Sequence, residues 1–106
     1  MELPTASDVR TRIQNCEESR RAKDSECFIK VRRMIIERME RDPQSTMRFI
    51  VAYTDFSDMS QCKLVMNRLR TDLDEKGFQT EWEYRYSTSL SDAEYWSGAN
   101  LSIRVP

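Results

Sequence analysis

Two cysteine–arginine pairs, Cys62 with Arg68 and Cys27 with Arg33, carry a Cys-x5-Arg spacing. In cysteine phosphatases that spacing lets a thiolate and a guanidinium grip one phosphate, while loop backbone N–H groups supply much of the binding. Such a loop is non-helical and contains glycine. Both stretches here fall inside helical periods without glycine, and their cysteines lie on apolar faces. The spacing therefore predicts small buried hydrophobes with raised pKa rather than nucleophiles. The chain contains no histidine, which removes Ser-His-Asp and Cys-His arrangements and the usual zinc and non-haem iron ligand sets. Asp72, Asp74 and Glu75 cluster where a helix should end, but their spacing does not converge oxygens on one cation. They read as solvated surface or as a contact for a basic partner. No catalytic residue, metal site or cofactor is expected.

Recognition residues are better represented. Between Asp8 and Arg41 there are 10 basic and 7 acidic residues, a balance of +3, against 7 and 11, or −4, in the rest of the chain. Arg20, Arg21, Arg32 and Arg33 are the candidate contacts to a nucleic-acid backbone or an acidic partner. Glu17, Glu18, Asp24, Glu26, Glu37 and Glu40 are interspersed among the basic residues at pairing distances, which favours a solvated helix surface. Trp82, Tyr84 and Tyr86 form an alternating row that suits the core side of a strand, a protein-binding patch or a base-stacking platform. Glu81 and Glu83 on the opposite face favour the core. Tyr95 and Trp96 fall in a polar stretch with no evident core to enter, and with Tyr53 and Phe56 they are the expected interface residues.

The elements that position these groups follow from periodicity. A chain of 106 residues makes one domain, 1–106, with a helical part at 1–43 and a β-α-β-β part at 44–106. Val9, Ile13 and Cys16 mark one helix behind a Thr5/Asp8 capping box. Phe28, Val31, Ile35 and Met39 mark a second. In the polar stretch from Arg20 to Glu26 between them, Asp24 or Ser25 could cap a new helix, or one long helix could run straight through. Two helices are the preferred reading. Asp42-Pro43 stops the segment. Met47 to Thr54 alternates with apolar residues on both faces, the pattern of a central strand. A third helix runs from a Ser57 cap through Cys62, Val65, Met66, Leu69 and Leu73 to Gly77. Phe78 to Tyr86 is a strand, Ser87 to Gly98 a polar loop, and Leu101 to Val105 a last strand. The order α-α-β-α-β-β predicts an α+β fold: a three-stranded mixed sheet, its first two strands parallel through a right-handed crossover, with helices packed on it.

Three cysteines cannot all pair within the chain, and the N-terminus has no signal-peptide pattern. Reduced thiols in a soluble intracellular protein of cytoplasm or nucleus are expected. No apolar run approaches membrane-spanning length, so no membrane partner is expected. The segment of residues 60–106, with Leu73-x-x-x-Gly77-Phe78, the aromatic strand and Leu101-Ser102-Ile103-Arg104-Val105-Pro106, resembles small α+β proteins of large DNA viruses and phages. Those are typically of unknown function and some are virion components, so the resemblance implies a small viral protein, a virion component among the roles open to it. The expected function is a non-enzymatic subunit acting through contacts with other protein chains, itself included, in a virion or another assembly. The alternative is a small nucleic-acid-binding regulator that uses the basic N-terminal helices.

Overall fold

The structure is a computed structural model that describes residues 2–106. One helix, α1, spans Ala6–Arg41, where two were expected. The Arg20 to Glu26 stretch holds no glycine or proline and is rich in good helix formers. Within it Asp24 accepts a hydrogen bond from Gln61 Nε2, and the helix runs through without a break. The capping box forms as expected: Asp8 N–H donates to Thr5 Oγ1 and Thr5 N–H to Asp8 Oδ2. Asp42 is the C-cap ahead of Pro43.

The other elements are β1 (Thr46–Ala52), a single 3-10 turn at Tyr53–Asp55, α2 (Met59–Glu75), β2 (Gln79–Thr88) and β3 (Glu94–Arg104). Asp58, one residue after the expected Ser57, caps α2 through Gln61 N–H. At the other end Gly77 adopts a φ of 93°. Gly77 N–H bonds to Asp74 O and Phe78 N–H to Leu73 O, the two bonds of a Schellman ending.

The fold is α+β, but its sheet is antiparallel rather than mixed, with order β1-β3-β2. The expected crossover does leave β1 and β2 pointing the same way. β3, however, lies between them and pairs antiparallel with both. The central strand is therefore β3, and β1 is an edge. Ile50, whose apolar character suggested a second covered face, is 59% exposed. The loop from Ser87 to Gly98 is also shorter than expected. β2 continues to Thr88, β3 begins at Glu94, and the turn closes with Ser89 N–H donating to Ala93 O.

Both helices cover one face of the sheet. Met47, Phe49 and Val51 of β1 and Ala99, Leu101 and Ile103 of β3 meet Phe28, Val31 and Ile35 of α1 and Cys62, Val65, Met66 and Leu69 of α2 in one buried cluster. The opposite face, with Arg48, Ile50, Glu81, Glu83, Asn100 and Ser102, lies open, as antiparallel sheets allow. No helix among the described residues is long and apolar enough to cross a membrane.

Candidate interaction surfaces

The buried residues of α1, Cys27, Phe28, Val31 and Ile35, all belong to its C-terminal half. Every residue from Glu2 to Lys23 is exposed. The stretch from Ala6 to Lys23 adds no buried residue. Its residues from Asn15 onward edge a cleft with Ser57 and Gln61, and at 1.5 Å per residue Ala6 to Gln14 carry the helix about 13 Å past it. The molecule measures 62 × 41 × 19 Å with a radius of gyration of 18.0 Å, where a compact chain of this length has about 13 Å. Val9, Ile13 and Cys16, whose spacing predicts a packed face, are all exposed on this arm, with Cys16 at the edge of the cleft it shares with Ser57 and Gln61. Their periodicity marks a helix correctly but does not say what covers it.

A polar link fixes the point where the arm leaves. Gln61 is buried; its Oε1 accepts from Ser57 N–H at 2.7 Å and its Nε2 donates to Asp24 Oδ1 at 3.0 Å. Nearby, Lys30 pairs with Asp55 at 3.1 Å, and Cys27 Sγ donates to the Asp55 carbonyl at 3.2 Å.

Of the four expected interface aromatics, the fold gathers three. Trp96 lies 6.2 Å from both Tyr53 and Phe56, ring centroid to centroid. Phe56 is buried and supports the half-buried Trp96 from beneath, so it is not itself a surface for a partner. Trp96 is not a loop residue: it belongs to β3, and its Nε1 donates to Gly98 O at 2.8 Å. Tyr53 and Tyr95 are exposed, Tyr95 opposite Ser87 in the ladder.

The arginines do not gather. Arg20 and Arg21 belong to the free arm, whereas Arg32 and Arg33 belong to the packed half of α1. At about 100° per residue, Arg21 and Arg32 share a direction, while Arg20 and Arg33 point two other ways. A phosphate backbone would meet no continuous basic stripe.

The row on β2 is only partly covered, where full burial under the helices was expected. Thr80 is buried, Trp82 and Tyr84 are half-buried, and Tyr86 is 52% exposed. The rings stack edge-on along the strand, 5.2 Å from Trp82 to Tyr84 and 6.4 Å from Tyr84 to Tyr86. α2 holds only their inner sides. Trp82 Nε1 donates to Asn67 Oδ1 and the Tyr84 hydroxyl to Met59 O.

Neither Cys-x5-Arg pair builds a phosphate site. Both lie within helices, where six residues place the two side chains about 240° apart. Arg68 stacks over the Phe28 ring at 4.1 Å. Burial, and then the neighbouring Cys27, push the Cys62 thiol up to about 11. Burial and then Asp55 raise Cys27 as well. Cys16 is exposed on the arm. Among the acidic residues near the end of α2, Asp74 accepts from Thr80 Oγ1 at 2.8 Å and lies 3.9 Å from Arg70. Beside it, the C-terminal halves of the two helices enclose an open groove of about 380 Å³, floored by Ile35, Met39, Leu69 and Phe78.

Comparison of the chain with protein-family models, curated proteins and solved structures finds no match.

Proposed function

We propose that this chain is a non-enzymatic interaction subunit that works through protein–protein contacts within a virion or another assembly. The projecting arm of α1 carries the reading. An isolated helix gains too little from its own hydrogen bonds to be firmly held in water, and most helical stability in proteins comes from packing an apolar face. The arm has such a face, in Val9 and Ile13, and both residues stay exposed. A neighbouring chain would supply the missing surface, and Tyr53, Tyr95 and Trp96 offer a second point of attachment around the turn whose Asp55 meets Cys27 and Lys30 of α1.

The test is affinity capture with the full-length chain, compared with a Val9→Asp/Ile13→Asp variant. Both positions are exposed, so the variant keeps its fold, checked by circular dichroism. The same captured protein should be lost with the variant. Equal recovery with both chains, or salt-steep binding to duplex DNA with no protein captured, would overturn the reading.

A further inference from the structure

β2 is an edge strand of ten residues without glycine or proline. The extra residue at the irregularity between Arg85 and Tyr86 lies on β3, where Ser97 is skipped, so the outer side of β2 runs unbroken. Edge strands usually carry a device against pairing, such as a proline, a bulge or a charge turned inward. β2 carries none. Its charges, Glu81, Glu83 and Arg85, all stand on the open face, and among the described residues none of them makes an ion pair. Across the sheet they face Ser102, Asn100 and Gly98.

We propose that β2 pairs antiparallel with β2 of a second copy, about a two-fold axis at Tyr84, to make a continuous six-stranded sheet. This deepens the reading of the chain as an interaction subunit by naming one partner, on a surface separate from the arm. Charge decides the register. A two-fold axis makes one residue face itself. Axes at Glu81, Glu83 or Arg85 set identical charges opposite each other, and an axis at Trp82 sets Glu81 against Glu83. An axis at Tyr84 sets Glu83 against Arg85 twice and Trp82 against Tyr86 twice, with Thr80 opposite Thr88. Opposite-charge and aromatic cross-strand pairs are the combinations that stabilise antiparallel strands. The half-covered row Trp82, Tyr84 and Tyr86 then meets its own copy, which covers the outer sides that α2 leaves bare.

The experiment is sedimentation velocity of the full chain and of Glu83→Arg and Arg85→Glu, with circular dichroism to confirm the fold. The wild type should be a dimer. Each single variant sets like charges opposite each other and should weaken self-association about tenfold or more. A mixture of the two variants restores both attractive pairs and should dimerise, as should the double variant E83R/R85E. Monomeric wild type at about 100 μM, or single variants that dimerise as well as wild type, would overturn the proposal. Capture of a different protein through Val9 and Ile13 would survive that failure, because it depends on the arm alone.

Discussion

Gln61 Nε2 lies 3.0 Å from Asp24 Oδ1, and this one bond ties the start of α2 to the last residue of α1 before its exposed arm. Gln61 is buried and also accepts from Ser57 N–H. Replacing it with Leu strands the Ser57 N–H and the Asp24 carboxylate in a partly buried site. Gln61→Leu should therefore cost about 1–3 kcal/mol in urea unfolding. Asp24→Ala, which leaves one amide group unpaired and keeps the bond to Ser57 N–H, should cost less.

Arm and body should be separable energetically. The residues before Asp24 contribute nothing to the buried cluster, so deleting residues 1–19 should change the urea unfolding free energy by less than about 1 kcal/mol. Limited trypsin digestion read by mass spectrometry should cut first at Arg10, Arg12, Arg20 and Arg21. Early cleavage at Arg32 or Arg33 would contradict this division.

The three thiols should differ in reactivity. Cys16 is exposed, while Cys27 and Cys62 are buried with raised pKa. At about pH 8 a thiol-disulfide reagent should modify one cysteine quickly in the native protein and all three in denaturant. Because the folded-state pKa of Cys62 lies near 11 against an ordinary value of 9.0, the folded state holds this proton more tightly than the unfolded chain. The associated stability is complete below about pH 9 and is lost as pH rises toward 11. The wild type should lose roughly 2 kcal/mol over that window that Cys62→Ala does not lose, measured by urea unfolding at several pH values.

The two glycines should respond differently to alanine. Gly98 has a φ of 142°, and a Cβ there would overlap the Val51 carbonyl of the paired strand. Gly98→Ala should destabilise the fold by about 3 kcal/mol or more. At Gly77 there is open space around the missing Cβ, and only the left-handed backbone resists, so Gly77→Ala should cost about 1–2 kcal/mol. Thermal unfolding of both variants checks the order.

Local signals in the sequence carried far. The capping box at Thr5, the stop at Asp42-Pro43, the apolar stripe of α2 and its Gly77 ending all follow from short-range chemistry, and the structure has each of them. What depends on partners distant in the chain was less legible. Alternation in β1 is the same for an edge or a central strand, and only the arrival of β3 between β1 and β2 decides. The Tyr95-Trp96-Ser97-Gly98 stretch breaks period two because Ser97 is skipped in the ladder, which hid the first half of β3. Spacing alone likewise could not show that Val9 and Ile13 overhang the body, or that Phe56 lies beneath Trp96.

The position of β3 also sets a timetable. β1 and β2 pair only with β3, yet β3 follows both in the chain. A nascent polypeptide that has left the ribosome only as far as Thr88 can form its helices, but its two strands lack a shared neighbour. The sheet, and with it the apolar face on which both helices rest, closes only when the residues around Leu101 and Ile103 emerge. Until then Met47, Phe49 and Val51 stay uncovered, and that interval is when a chaperone would find its footing.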